Sequence, residues 1–278
     1  CSNITEPSSI EVIDVFLLGG QSNADGHGNP NLLENDYLQP NNHILFYHGN
    51  GGGLSPLSSN SWLPLQSGSG SKEKNIGFFG PELSFGKEII ELTPVRPTHK
   101  VAIIKYAVGG SNLHTQWRAG GNASRKNDGT YYRHFQDTVD AGLKELQSMY
   151  PHAQINIKAM LWHQGESDTY YKTAVNYERN LTNFIQDVRQ SYGNNLVFLI
   201  GQLSDAQYKK PKSGFPLVVA AQSKIANSSA LNGLIITQGI PVDLPTNQIH
   251  FGAEGQIKLG ILYAKEYLRI LQTTYQKE

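Results

Sequence analysis

The chain has 278 residues, 38% of them hydrophobic, and its 23 Lys and Arg are balanced by 23 Asp and Glu. A formal net charge of zero, with no basic stripe and no long run of like charges, argues against nucleic acid and anionic membrane surfaces as partners. No stretch approaches the roughly 18 consecutive apolar residues that a membrane-spanning helix needs, and the length suffices to bury one substantial core.

Cys1 is the single cysteine, which excludes an internal disulfide and a cysteine-rich metal site. A chain that begins with Cys and continues through the polar residues 2–9 reads as a processed bacterial lipoprotein. The expectation is a lipid anchor at Cys1, a tether over residues 1–11, and a secreted, periplasmic or cell-surface location. Beyond the tether, apolar runs rich in β-branched residues fall at Val12 to Gly19, Ile44 to Tyr47, Val101 to Val108, Ile155 to Trp162, Leu196 to Leu203 and Leu234 to Thr237. Helical periodicity falls between and after them, at Pro81 to Leu92, His134 to Met149, Thr173 to Tyr192, Pro216 to Ala226 and Ala253 to Thr273. The last of these lines up Ile257, Ile261, Leu262, Ala264, Leu268 and Leu271 on one face. Such alternation predicts βαβ crossovers, hence an α/β fold with a mostly parallel sheet and helices on both faces, in one domain over 12–278. The Gly/Ser-rich stretch from Gly49 to Ser71 reads as a long surface loop near the functional site.

In an open parallel sheet, ligands bind at the carboxyl ends of the strands. The unusual polar residues of the chain fall there. The first strand runs into Gly19-Gly20-Gln21-Ser22-Asn23, the strand from Val101 into Val108-Gly109-Gly110-Ser111-Asn112, and the strand from Ile155 into Trp162-His163-Gln164-Gly165-Glu166-Ser167-Asp168. A fourth cluster, Asp243 through His250 to Gly252, precedes the last helix. Acyl transfer needs a hydroxyl nucleophile, a base, an acid that orients the base, and donors for the oxyanion. Ser22 suits the first role, His250 the second, and Glu166, Asp243 or Asp168 the third. The backbone N–H groups of Ser22 and Gly110, with an amide from Gln164 or Asn112, suit the fourth. Read blandly, Ser22 is a turn or cap serine. No G-x-S-x-G elbow occurs, so an ordinary α/β-hydrolase is excluded.

Gly-Gln-Ser-Asn at 20–23, Phe-Gly-Pro-Glu-Leu at 79–83, Val-Gly-Gly-Ser at 108–111, His-Gln-Gly-Glu-Ser-Asp at 163–168 and Ile-His-Phe at 249–251 together resemble the successive blocks of the sialate O-acetylesterase-like branch of the SGNH hydrolases. In size and block spacing they look most like carbohydrate esterase family six, the acetylxylan esterases. The resemblance spans about 12–269. It implies a flavodoxin-like three-layer α/β/α fold around a five-stranded sheet, and a serine esterase without cofactor or catalytic metal that deacetylates plant polysaccharide. By position it makes Ser22 the nucleophile, Gly110 the second-block oxyanion glycine, Gln164 the third-block amide donor and His250 the base. One departure matters: the wider superfamily has Asp three residues before the catalytic histidine, and this chain has Asn247. A neutral amide cannot stabilise an imidazolium as a carboxylate does, so the acid must come from elsewhere, Glu166 first and Asp243 second.

Gln21 and Asn23 are expected to shape the turn or back up the oxyanion site, and His163 to be structural. Trp62, Trp117, Tyr131 and Tyr132 are read as loop aromatics that could stack on a sugar ring, the alternative being core. Arg118, Arg125 and Arg133 could pair with the carboxylate of a sialic acid, the alternative substrate. Two further alternatives are a carbohydrate-binding protein that has lost catalysis, to which Asn247 lends support, and a hydrolase of lipid or thioester acyl chains.

Overall fold

The structure, a computed structural model, describes residues 11–49, 51, 57–70, 72–73, 76–92, 98–121, 125–204, 212–243 and 247–275. Cys1 and the rest of the expected tether through residue 10 lie outside the described residues. In chain order the elements are β1 (Val12–Gly20), a one-turn α1 (Ser22–Asp25), β2 (Asn41–Gly49), β3 (Trp62–Leu65), β4 (Lys72–Glu73), β5 (Ile76–Gly77), α2 (Glu82–Leu92), β6 (His99–Ala107) and α3 (Thr130–Met149). They continue with β7 (Gln154–His163), α4 (Tyr171–Ala174), α5 (Tyr177–Tyr192), β8 (Val197–Gly201), α6 (Phe215–Ala226), β9 (Asn232–Ile235), β10 (Val242–Asp243), β11 (Asn247–Phe251) and α7 (Ala253–Tyr275).

The α/β architecture is the expected one, but the main sheet has seven strands rather than five, in the order β3-β2-β6-β1-β7-β8-β9. All pairs from β2 to β9 are parallel, and β3 alone is antiparallel, on β2. One of the extra strands, β3, lies inside the Gly/Ser-rich stretch read as loop. There Leu65 is buried and Pro64 occupies an edge strand, where its missing N–H breaks no inner ladder. The helix expected from Thr173 to Tyr192 is two helices: α5 starts afresh after Asn176, whose carbonyl accepts the Asn180 N–H at 2.9 Å.

Side chains alternate along β1 between two cores. Ile13, Val15 and Leu17 face the cluster built with Phe135 and Val139 of α3, Phe184 of α5 and Val218 of α6. Phe16 and Leu18 face the cluster built with Phe85 of α2 and Leu259, Tyr263 and Tyr267 of α7. A strand buried on both faces must be apolar at nearly every position, which is why these strands read as continuous apolar runs. The register then fixes the site. Gly20, the last residue of β1, is level with Ala107 of β6 on one side and His163 of β7 on the other. The chain leaves β1 for β2 and β6 on one flank and crosses to β7 on the other, so β1 lies at the topological switch point.

Candidate active site

Gly20 makes the turn out of β1 practicable. Its φ is +138°, and a Cβ there would lie 2.1 Å from the carbonyl oxygen of His163. That close approach lets Gln21 N–H bond His163 O at 2.9 Å. Ser22 follows as the first residue of α1, 5% exposed, and its backbone N–H has no partner among the described residues. Facing it from the end of β6 is the Gly109-Gly110 turn, both residues exposed. A Cβ on Gly109 would be 3.7 Å from that of Ser22, and Gly110 has φ +69° with open space around it. The Gly110 N–H likewise has no partner among the described residues. Two unpaired N–H groups beside a serine can stabilise an oxyanion.

The amide donors differ from the sequence expectation. Gln164 is fully buried, and its Nε2 faces Asp168 Oδ2 at 2.7 Å with Gln21 Oε1 and Ser111 O each at 3.2 Å. Flipping the amide would turn its oxygen toward a carboxylate, so the orientation is set and no N–H is left for an oxyanion. Asn112 is a turn cap: its Oδ1 takes the Thr115 N–H and hydroxyl, and its Nδ2 donates to Gln116 Oε1. Asp168 joins the second and third loops by accepting the N–H groups of Leu113 at 2.7 Å and His114 at 3.1 Å. Burial nevertheless raises its carboxyl above the usual range, the three hydrogen bonds opposing the rise. Gln21 presents the opposite case. Its Oε1 accepts from Gln164 Nε2 at 3.2 Å, from Ser167 N at 3.2 Å and from Gly165 N at 3.4 Å, which fixes the oxygen. Its Nε2, one residue before the serine, takes no partner among the described residues.

Asn23 is the link to His250. It donates from Nδ2 to Glu166 Oε1 at 2.8 Å and to Ile249 O at 3.2 Å, while its Oδ1 accepts the Phe251 N–H at 3.0 Å. The residue after the serine thus grips both neighbours of His250, and all of its polar groups are used in doing so. Its expected oxyanion or substrate-binding role is replaced by this clamp. Glu166 is also placed differently from the expectation. Its carboxylate meets Asn23 and lies 3.7 Å from His163 Nε2, whereas His250 Nδ1, which an orienting acid would hold, is buried with no hydrogen-bond partner among the described residues. Burial lowers the pKa of His250 to about 4 and that of the fully buried His163 to about 3, so the His163–Glu166 contact joins a neutral ring to a carboxylate. The side chains of Asp243 and Asn247 lie outside the described residues. Their backbones pair in the β10–β11 hairpin that delivers His250.

The aromatic expectations divide. Trp117 and Tyr132 are fully buried core residues, bonded to Ser111 Oγ and Asp187 respectively. Tyr131 sits with Tyr132 on α3 rather than in a loop, and Trp62 lies in β3 with its indole N–H on Gly142 O at 3.0 Å. These rings are committed to packing. Sequence reasoning missed His27, which stacks on His250, and the buried pair Lys105–Glu82 beneath it. A lysine isolated in the apolar run from Val101 to Val108 was the available signal. Among the described residues, no group of three or more His, Cys, Asp or Glu side chains could hold a metal ion, and no helix is long and apolar enough to cross a membrane.

A parallel sheet whose central strand ends in a turn-borne serine, with a left-handed glycine opposite and a histidine whose neighbours are clamped by Asn23, carries the parts of a serine esterase. Residues 12–269 match the family described as "Carbohydrate esterase, sialic acid-specific acetylesterase", and the chain belongs to that family, making it a carbohydrate acetylesterase. No curated protein sequence matches the chain. Solved structures similar to it include a protein from Arabidopsis thaliana, with a TM-score of 0.69 at 20% identity, covering 92% of this chain and 98% of that one. NanS aligns with a TM-score of 0.66 at 16% identity over 97% of this chain and 100% of its own. A carbohydrate acetylesterase from Xanthomonas citri aligns at 0.64 and 21% identity over 94% of this chain and 56% of its own. At these identities the likeness is one of fold.

Proposed function

We propose that the chain hydrolyses O-acetyl esters of a neutral plant polysaccharide, acetylated xylan being the expected substrate, with Ser22 as nucleophile and His250 as base. Ser22 Oγ gives its proton to His250 and attacks the acetyl carbonyl. The oxyanion is held by the N–H groups of Ser22 and Gly110 and by Gln21 Nε2. Collapse releases the sugar hydroxyl, protonated by His250, and leaves an acetyl-serine. Water, deprotonated by the same histidine, then frees acetate.

The observation that carries this reading is the clamp of Asn23 on Ile249 and Phe251, which ties the loop of the base to the residue beside the nucleophile. The arginines bear on the choice of sugar. Arg125 is paired with Asp137 and Asp140, Arg133 bonds Asp128 O, and Arg118 bonds Asn127 O at 3.3 Å. With these three engaged, a neutral sugar is favoured over one carrying a carboxylate. The family description favours the second reading, a sialate O-acetylesterase. Acetate release from acetylated xylan and from O-acetylated sialic acid, measured for wild type and Ser22→Ala, decides. Ser22-dependent release from xylan supports the first reading, and release from the sialic acid alone replaces it with the second. Release from neither removes both.

A further inference from the structure

The imidazole rings of His27 and His250 are stacked, with centroids 3.7 Å apart and planes within 6° of parallel. His27 is carried by a segment anchored on both sides. Lys105 Nζ donates to Asp25 O before it, and Gly28 exchanges two backbone hydrogen bonds with Phe79 after it, at 2.9 and 3.0 Å. Lys105 is itself held by Glu82 at 3.0 Å and by Ser69 Oγ at 3.1 Å, all three side chains being buried. The backbone that carries His27 is therefore placed by the frame and does not depend on His250 for its position.

His250 needs such a surface. Its Nδ1 has no hydrogen-bond partner among the described residues, so none of them fixes the rotation of the ring about its Cβ–Cγ bond by a hydrogen bond there. We propose that His27 is a positioning residue: its ring face holds His250 in the plane from which it meets Ser22, and offers a neutral aromatic face to the imidazolium formed when the serine proton arrives. This rests on the reading of Ser22 and His250 given above. His27 itself exchanges no proton in the cycle. Burial first, then His250 and Lys105, hold its pKa at about 3, so it remains neutral wherever His250 acts as a base.

The test uses His27→Phe, His27→Leu, His27→Ala and His250→Ala, assayed on nitrophenyl acetate and by the rate at which an organophosphorus probe labels Ser22. His27→Phe keeps a flat ring and is expected to stay within about threefold of wild type. His27→Leu keeps apolar bulk but offers no ring face, and with His27→Ala is expected to lose about 10- to 100-fold in kcat and in labelling rate, with KM nearly unchanged. His27→Leu matching His27→Phe, in a background where His250→Ala is inactive, overturns the positioning role alone. Full activity of His250→Ala overturns the reading beneath it.

Discussion

Asn23 donates a side-chain N–H to Glu166 Oε1 at 2.8 Å, joining the loop after β1 to the loop after β7. The same amide grips Ile249 and Phe251, so Asn23 connects Glu166 to both neighbours of His250. Asn23→Ala removes three hydrogen bonds, two of them buried, and is expected to cost about 1–3 kcal/mol of stability, together with a roughly 10- to 100-fold fall in kcat at nearly constant KM. Asn23→Asp sets a carboxylate against Glu166 and should cost more stability than the alanine, about 3 kcal/mol or above. Glu166→Gln still offers an acceptor at Oε1, so its kcat should remain within about tenfold of wild type. Urea melts and nitrophenyl acetate kinetics read all three. A Glu166→Gln loss on the order of a thousandfold would return Glu166 to the role of triad acid.

The exchange of roles between Gln164 and Gln21 gives a second test. Gln21→Glu preserves the oxygen that accepts from Gly165 and Ser167 but replaces the amide nitrogen by a carboxylate oxygen. It should leave the fold intact and lower kcat about 100- to 1000-fold, the usual effect of removing one oxyanion donor. Gln164→Leu breaks the bonds to Asp168 and Ser111 in the interior, and its chief effect should be on melting temperature. If Gln164→Leu melts like wild type and loses the activity instead, the assignment of the two glutamines is reversed.

The sequence made the sheet legible because strands buried on both faces are near-continuous apolar runs, and it made the rim legible because glycines and polar residues end those runs. All six strands anticipated from β1 to β9 are present. What stayed hidden is set by pairing rather than by composition. The strand β3 is held by its partner β2 and reads as loop because its own four residues carry too little signal. The orientation of the Gln21 amide depends on donors distant in sequence, Gly165 and Ser167, and that of Gln164 in part on Ser111, equally out of local reach. The stacking of His27 on His250 joins positions whose spacing carries no periodicity. The contact of Glu166 with Asn23 was hidden for the same reason: a carboxylate on the rim can be engaged by a nearby donor, and spacing does not say which.

The buried pair Lys105–Glu82 supports the floor of the site and gives a third prediction. Lys105 ties Asp25 O and Ser69 Oγ to Glu82, whose other oxygen accepts from Ser69 and from Gly80 N–H, each at 2.9 Å. Lys105→Met leaves a carboxylate buried without its cation and is expected to cost about 3–5 kcal/mol. The double variant Lys105→Met with Glu82→Gln removes the orphan charge and should recover a good part of that loss. A double-mutant cycle by chemical denaturation measures the coupling, and additive losses would show that the two side chains do not act as a pair.

The acid limb of activity follows from the environment of His250. An imidazole paired with a carboxylate would keep its proton to higher pH, whereas burial alone favours the neutral ring and brings the pKa down to about 4. The base is then competent above that value, and kcat/KM should stay level down to about pH 5 and fall through a midpoint near 4. Stability declines over part of the same range. His163, at about 3 in the folded chain against the ordinary 6.5 of a free imidazole, leaves the unfolded state binding more protons below about pH 6.5, so stability is lost as pH falls from there toward 3. Initial rates on nitrophenyl acetate, taken from enzyme diluted from neutral buffer, separate the two effects, with a return to neutral pH to show that each loss is reversible. A midpoint near 4 agrees with an imidazole held by burial and stacking. A midpoint close to 7 would require a carboxylate on Nδ1, and Asp243, the second acid that the sequence offers, would then be the residue to substitute.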